Sequence, residues 1–437
     1  MEGGAQAILV GGQTMAHPIG LLVLILCLLG MVFKGKQWVV PSLLIFVFAI
    51  PSAQRVVILG LDFSFLRIIV FFSICGAYLG GLTRGFSYQK PDKVIIAWAI
   101  WALIAYGFLL GSFNAVVTRA GFMVDAVGTY FVGRLYIKSW KDLKRVVLFV
   151  GYASFPVMVF FLVERATGKN LFYIFGGIDQ YTLVREGKLR CQGPFSHPIM
   201  AGLFWASILP WLALVWIRRE ASKIMLIGMI AAVVTITLNT VSSTPVMAIL
   251  LIVVGLALFP FRRILPGLRW VAVFGLVVAQ IVMEKGAAHL IARVNVFAGS
   301  TGWHRYHLID EAINHLGEWF WVGTLSTEHW GLGLGDVTNQ YILEAVRGGL
   351  LGMVLFIMFL VASFNLIGRA IKLSSSESDR WVPWMGGVVF FVHSFSFLSV
   401  SYFGQVVASF FLFSGIIVSI AAENIFRLTK SSEVISR

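Results

Sequence analysis

Arginine, histidine and turn-forming residues are concentrated in the stretch REGKLRCQGPFSHPIMAG, which runs from Arg185 to Gly202. Arginine presents a rigid fork of N–H donors that matches the oxygens of a phosphate group. Two such side chains, Arg185 and Arg190, could therefore hold a pyrophosphate. The types and spacing of these residues favour an anion-binding role for this stretch.

The same stretch brings a histidine to the start of an apolar segment. Gly193, Pro194 and Pro198 predict a turn that places His197 there. An imidazole changes its charge near neutral pH, so His197 could act as a base or as a hydrogen-bond donor. An equally good interpretation is that His197 only satisfies the start of a helix.

A second stretch, STGWHRYHLIDEAINHLGEWFW, runs from Ser300 to Trp321. Four potential metal ligands fall at helical spacing along one face: His304, His307, Glu311 and His315. This spacing permits a metal site but lacks a compact pattern such as HExxH, so we expect no metal. We predict instead an amphipathic helix at a membrane interface, anchored by Trp303, Trp319 and Trp321. Trp303 could also stack on a sugar, and Arg305 would point inward if the helix lies along the membrane. Arg293, earlier in the same loop, is a further candidate cation.

A third stretch, WGLGLGDVTNQYILEAVRGGLLG, runs from Trp330 to Gly352. Its glycines do not match the nucleotide pattern GxGxxG, and no predicted strand precedes them. We predict a tight turn that delivers Asp336, Thr338 and Asn339 to the mouth of the next apolar segment. Asp336 is a plausible general base for a hydroxyl group. For Gly348, Gly349 and Gly352 we expect close approach of a neighbouring helix.

The composition shows what positions these residues. Hydrophobic residues make up 59% of the 437-residue chain and charged residues only 12%, about half the charged share of an ordinary globular domain. Long apolar runs without period-2 alternation predict an all-α polytopic integral membrane protein with about 12 transmembrane helices, in a range of about 11 to 13. The predicted spans are 18–33, 37–50, 64–81, 94–112, 146–163, 197–217, 224–239, 245–261, 268–283, 349–367, 383–402 and 404–422. Residues 120–137 could be another span or an interfacial helix.

The basic residues predict the topology of this single transmembrane domain, residues 1–437. The net charge of +14 is concentrated in short connections that fall on one side if the spans alternate, as the positive-inside rule requires. Two longer loops, 164–196 and 284–348, then lie outside the cytoplasm, and the larger one carries the expected active site. The sequence provides no soluble basic face of the kind that binds nucleic acid.

Several of these motifs together resemble one known family. An R-x-x-G-x-F-x-H-P turn at 190–198, an outer loop with an arginine, an N-x-Y-[IL] helix start at 339–342 and a GGLLG run at 348–352 resemble the O-antigen ligase and polymerase superfamily. The stretch GLDFSFLRIIV at 60–70 is also similar to members of this family. The specific matches are confined to roughly fifty residues, whereas the hydropathy and motif order match over most of the chain.

The resemblance implies a glycosyltransferase of the bacterial inner membrane that uses undecaprenyl diphosphate-linked glycans on its outer side. It implies no metal, no cofactor and no nucleotide sugar. Its partners would be the lipid-linked glycan, membrane lipids and other polysaccharide assembly proteins. Carried over by motif, Arg190 and Arg305 would hold the diphosphate, with Arg185 and Arg293 as further candidates.

One departure from the family concerns the base. Many members have a histidine directly before the asparagine of the last motif, where this chain has Thr338. Asp336, His329 or His197 would have to substitute for it, while Asn339, Thr338 and Trp303 would contact the glycan or the acceptor. We therefore expect polymerisation of lipid-linked repeats, with ligation to lipid A core as the first alternative. A flippase or transporter is the second, disfavoured because polar residues concentrate in the outer loops.

Overall fold

The computed structural model describes residues 13–283 and 302–435 and is mostly α-helical, as the sequence predicts. The first half of the chain contains α1 (Pro18–Lys34), α2 (Lys36–Phe48), α3 (Phe65–Leu79), α4 (Lys90–Leu110), α5 (Phe113–Met123), α6 (Thr129–Tyr136) and α7 (Trp140–Thr167). The second half contains α8 (Pro198–Ile217), α9 (Lys223–Asn239), α10 (Ser243–Ala257), α11 (Leu265–Val282), α12 (Gly302–Asn314), α13 (Leu316–Trp319), α14 (Gln340–Leu373), α15 (Glu377–Ser396) and α16 (Gln405–Ile435).

Two short antiparallel hairpins lie in the connections between helices. Strand β1 (Arg55–Ile58) pairs with β2 (Leu61–Ser64), and β3 (Leu183–Arg185) pairs with β4 (Lys188–Arg190). In the second hairpin Leu183 lies opposite Arg190 and Arg185 opposite Lys188. This register places one candidate arginine at the tip of the hairpin and another at its base.

The apolar helices indicate a membrane protein. Within the described ranges, six helical stretches are long and apolar enough to cross a bilayer: Lys90–Leu110, Phe113–Tyr136, Trp140–Thr167, Pro198–Ile217, Gln340–Leu373 and Gln405–Arg427. Five shorter apolar helices accompany them: Pro18–Lys34, Lys36–Phe48, Phe65–Leu79, Lys223–Asn239 and Ser243–Ala257. The crossing count of about 12 stays a prediction.

Helices α8 and α16 form the centre of the bundle. In the most apolar part of α8, 83% of the residues are buried, and in that of α16, 94% are buried. The corresponding share for α4 is 22%. A helix that is apolar on every face and buried on every face must be surrounded by other helices. The central pair is enclosed through contacts of α8 with α7, α9, α10 and α15, and of α16 with α2, α6, α14 and α15.

The segment 120–137, which the sequence left open between a span and an interfacial helix, is part of the bundle. It continues α5 through a π-helical turn, Val124–Gly128, into α6. Its two charged residues are paired inside the protein: Asp125 with Arg67 at 2.7 Å and Arg134 with Asp92 at 2.7 Å. This pairing explains how an apolar segment carries two charges, since unpaired ions are costly in this setting.

Contacts between connections define two ends of the bundle. The side-chain amide of Gln405 donates to the backbone oxygens of Ile50 and Pro194, and Asn339 donates to that of Leu398. These contacts gather the loop 164–196, the start of α14 and the start of α16 at one end, called the outer end below.

The basic connections meet at the opposite end. Arg218 pairs with Glu220 at 2.9 Å and lies 3.8 Å from Asp379, and Lys144 pairs with the same Glu220 at 3.0 Å. The separation of the basic turns from the two longer loops is thus a feature of the fold. Which end faces the cytoplasm stays a prediction.

Helix α14 is broken at Gly349, within the GGLLG run. Gly349 has φ 66° and ψ −173°, a conformation open essentially to glycine alone. The segment after α13 fills the break, since Leu350 donates its N–H to the carbonyl of Phe320 at 2.9 Å. Gly348 and Gly352 face Trp101 of α4, as expected for close helix packing, and the Trp101 indole donates to the Gly348 carbonyl at 2.7 Å.

Gly349→Ala should destabilise the protein by about 2 kcal/mol or more, because alanine is strained at this backbone conformation. Its Cβ would also collide with the carbonyl oxygen of Trp321. The matched control is Gly368→Ala in the same helix, where no atom lies within 4 Å of an added Cβ. The thermal unfolding midpoint in detergent should fall for the first variant only; equal midpoints would contradict this account of the break.

Candidate functional site

The buried carboxylate of Glu164 shapes the first outer loop. It lies in the last turn of α7, is 1% exposed, and accepts hydrogen bonds from the backbone N–H groups of Gln192 at 3.0 Å and Gly193 at 2.9 Å. The hydroxyl of Thr182 donates a third at 3.3 Å. The amide of Asn170 donates to the carbonyl of Gly193 at 2.7 Å. These bonds fix the turn that the sequence predicts between Arg190 and His197.

Arg190 enters the bundle from the base of the β3–β4 hairpin. Its side chain is buried, one Nη donates to the hydroxyl of Ser242 at 2.8 Å, and its buried Nε has no hydrogen-bond partner. Burial, and then the charge of Arg185, lower the pKa of Arg190. A guanidinium is so strongly basic that it stays charged nevertheless. Arg190 therefore carries unused N–H capacity and an uncompensated positive charge.

Arg305 brings a second such group from the other outer loop. It lies on α12, and its buried Nε also lacks a partner. Burial, and then again Arg185, lower the pKa of Arg305. Arg185 thus lies close enough to act electrostatically on both Arg190 and Arg305, and the three form what we call the arginine cluster. Arg293, the remaining sequence candidate, lies outside the described residues.

Within residues 13–283 and 302–435, no acidic side chain pairs with Arg190 or Arg305. Among the same residues, the charge that lowers the pKa of both is that of Arg185, another cation. Arg185 itself lies 4.0 Å from Glu186 at the exposed hairpin tip. Burying a cation without a partner costs several kcal/mol, so the arrangement is suited to a polyanionic ligand.

His197 adjoins the arginine cluster and caps α8. Its Nδ1 accepts the N–H of Ile199 at 3.2 Å, which confirms the helix-start interpretation. Burial, followed by the charges of Arg190 and Arg185, lowers its pKa to about 4. The ring is thus neutral near pH 7. With Nδ1 accepting, the proton sits on Nε2, so His197 is suited to donate a hydrogen bond rather than to take a proton.

Three polar residues in the turn before α14 serve different purposes. Asn339 is buried and caps α14, accepting from the N–H groups of Tyr341 at 2.9 Å and Ile342 at 3.2 Å. The Thr338 hydroxyl is buried without a partner, and Asp336 is exposed. Asn339 is therefore committed to positioning the turn, whereas Thr338 and Asp336 retain polar groups for a ligand.

His329 and Trp303 lie away from the described contacts of the arginine cluster. The His329 Nε2 is 2.8 Å from a carboxylate oxygen of Glu318, and Trp303 stacks on His307 with ring centroids 4.8 Å apart. Trp303 and Trp321 are exposed, as expected of interfacial anchors. The expectation for Trp319 is wrong: it is buried and its indole donates to Ala312 at 2.7 Å.

A cavity with both charged and apolar residues in its lining, called the polar cavity below for its charged groups, opens beside the 193–197 turn, and the sequence does not predict it. It has a volume of about 210 Å³, and its lining includes Arg55, Asp62, Arg67, Asp125 and Gln405. Asp62 and Arg67 belong to the stretch 60–70, which is similar to members of the family named above. That similarity is the sequence signal that could have pointed to this cavity. The volume falls below the roughly 300–1,000 Å³ of pockets for drug-sized ligands and suits a group the size of a sugar ring.

Polar atoms without partners surround this cavity. They include Nε of Arg55, Oδ1 of Asp62 and Oε1 of Gln405. The hydroxyl of Ser196, also without a partner, adjoins Gly404 on the cavity wall, within 2.8 Å of where a Cβ would be. Unsatisfied buried donors and acceptors are uncommon and call for a ligand or water. The cavity can therefore receive a molecule with several hydroxyl groups.

No family model matches this chain. No curated protein matches it either. The functional interpretation therefore depends on the residues themselves and on the resemblance they carry.

His197 should make the protein sensitive to acid. Its folded pKa of about 4 lies below the ordinary 6.5, so between these values the unfolded chain binds a proton that the folded chain does not. Stability is unaffected above about pH 6.5 and falls as the pH drops toward 4, by on the order of 2 kcal/mol at pH 5. His197→Asn keeps a capping residue without the titration. Between pH 7.5 and 5 the unfolding midpoint should fall further in the unsubstituted protein than in this variant, and an equal fall would refute the assignment.

Proposed function

We propose that this protein is a membrane glycosyltransferase that polymerises undecaprenyl diphosphate-linked oligosaccharide repeats at the outer face of the bacterial inner membrane. The observation that carries the proposal is the pair formed by Arg190, which is buried, and Arg305, which is partly buried. They come from different outer loops, each retains a free Nε, and no described carboxylate neutralises them. A diphosphate at the end of an apolar bundle is the anion that fits this arrangement.

The reaction transfers a glycan from one lipid carrier to a hydroxyl group of the glycan that a second carrier holds. The acceptor oxygen forms a bond to the anomeric carbon, while the bond between that carbon and the diphosphate oxygen breaks. The electron pair leaves with undecaprenyl diphosphate, and the hydroxyl proton passes to a base. Negative charge grows on the departing oxygen, so fixed guanidiniums in a partly dehydrated site stabilise the transition state by several kcal/mol.

The remaining groups divide between the acceptor and the proton. The polar cavity beside the 193–197 turn accommodates the acceptor sugar, and the Nε2 proton of His197 donates to a glycan or phosphate oxygen. Of the three candidate bases, Asp336 is the one we retain. His197 carries its proton on the available nitrogen, and His329 is engaged by Glu318. An exposed carboxylate at the start of α14 can accept the proton and release it to water.

Ligation and transport are the two competing functions. Ligation differs from polymerisation in its acceptor, and transport differs in that no bond is broken. A ligase handles the donor in the same way but needs a foreign acceptor such as lipid A core. A transporter moves the lipid-linked glycan without breaking the glycosidic bond. The polar groups at the outer end favour bond cleavage over transport, because transporters commonly place such groups near the bilayer midplane.

The test is release of free undecaprenyl diphosphate by purified protein supplied with a lipid diphosphate-linked oligosaccharide. A polymerase releases the carrier and lengthens the lipid-linked glycan. Release only with an added foreign acceptor would assign a ligase, and no release by folded protein with any acceptor would favour transport.

Arg305→Ala should reduce turnover by about 10²-fold or more, since it removes a donor aimed at developing charge. Arg305→Lys should recover only part, because an ammonium lacks the guanidinium fork. The control is Arg218→Gln at the opposite end of the bundle, which should leave turnover unchanged. Full activity of folded Arg305→Ala would rule out the proposed role of this arginine.

A further inference from the structure

Three side chains of metal-ligating type converge in the second outer loop, apart from the arginine cluster. They are His315 directly after α12, Glu318 in α13, and His329 in the 3₁₀ turn Glu328–Trp330. One ligand atom from each lies within 4.8 Å of the others. The helical face noted in the sequence contributes only His315, and the other two ligands come from farther along the chain.

The separations suit a small divalent cation with nitrogen and oxygen ligands. The Nε2 of His329 is 2.8 Å from one oxygen of Glu318, and the Nε2 of His315 is 3.9 Å from the other. Tetrahedral zinc with bonds of about 2.0–2.2 Å holds its ligand atoms about 3.3–3.5 Å apart. The two distances to Glu318 bracket this value, and no separation among the three ligand atoms exceeds 4.8 Å, so side-chain rotations would bring the three to zinc-binding distance.

Neighbouring groups already orient two of these ligands. The Nδ1 of His315 lies 2.9 Å from the carbonyl oxygen of Glu311, so Nδ1 carries the proton and Nε2 keeps its lone pair toward Glu318. The indole of Trp330 donates to Glu318 at 3.0 Å, and the His315 ring stacks on the Trp330 ring at 5.3 Å. Hydrogen bonds of this kind behind metal ligands fix their tautomer and orientation.

We propose that His315, Glu318 and His329 bind Zn²⁺, with water in the fourth position. The ion contacts none of the reacting groups, and its binding does not depend on the proposed glycosyl transfer. It joins α12 and α13 to the 3₁₀ turn, across the small apolar cluster of Leu308, Trp319 and Leu334. Because α12 carries Arg305, the bound ion holds that arginine in a fixed position relative to the loop that contains Asp336.

The test is zinc binding by purified, tag-free protein after treatment with a chelator. Calorimetry should show one zinc ion per chain, and zinc should raise the thermal unfolding midpoint. His315→Gln, Glu318→Gln and His329→Asn should each weaken binding by at least about 10-fold. His307→Gln is the matched control, because this histidine lies on the same helix, 3.7 Å from Glu311, but outside the trio; its affinity should equal that of the unsubstituted protein.

Two results would overturn the proposal. The first is that the unsubstituted protein binds zinc no more tightly than a variant in which all three ligands are replaced. The other is equal binding of Mg²⁺, which prefers an all-oxygen octahedral site. The unfolding midpoint of each variant, measured in the presence of chelator, shows whether the variant folds. If that midpoint is unchanged, any loss of zinc affinity is due to the missing side chain and not to misfolding.

Discussion

The burial of the Glu164 carboxylate at the outer end of α7 is the constraint on which the candidate site depends. A carboxylate in this position is tolerated only when donors satisfy it, and the loop 164–196 supplies three. In doing so the loop must bend at Gly193. This bend places Arg190 before the turn and His197 after it, at the start of the central helix α8. One buried charge thereby fixes the path of a loop that contains little regular structure.

Arg190 and Arg305 are the opposite case, since no described carboxylate pairs with either of them. Each desolvated guanidinium costs the folded state several kcal/mol unless an anion compensates for it. Arg190 and Arg305 each retain an unpartnered Nε, while Arg185 adds further positive charge nearby. The pair of Arg134 and Asp92, which lies away from the proposed site, shows that the same chain neutralises a buried arginine where no ligand is expected. The contrast supports binding of an anionic substrate.

Much of the helical arrangement could be predicted from the sequence, because lipid solvation imposes long apolar runs. The sequence also predicted a shared role for Arg190 and Arg305, with Arg185 as a further candidate, because these arginines stand in motifs that resemble the family. Glu164 could not be found this way, because nothing local distinguishes a helix-end glutamate that accepts three bonds from a solvated one. Trp319 was misassigned because its burial depends on α12 folding over it. Of the proposed zinc ligands the sequence indicated only His315, because His329 and Glu318 join it through the tertiary fold.

The central claim is that the arginine cluster holds the diphosphate of the lipid carrier. The most direct measurement is an electron cryo-microscopy structure of the protein with bound undecaprenyl diphosphate in a lipid nanodisc. The account predicts density for the two phosphates in contact with Arg190 and Arg305, with the isoprenoid chain running along the apolar helices. Diphosphate density elsewhere, with both arginines unliganded, would contradict it.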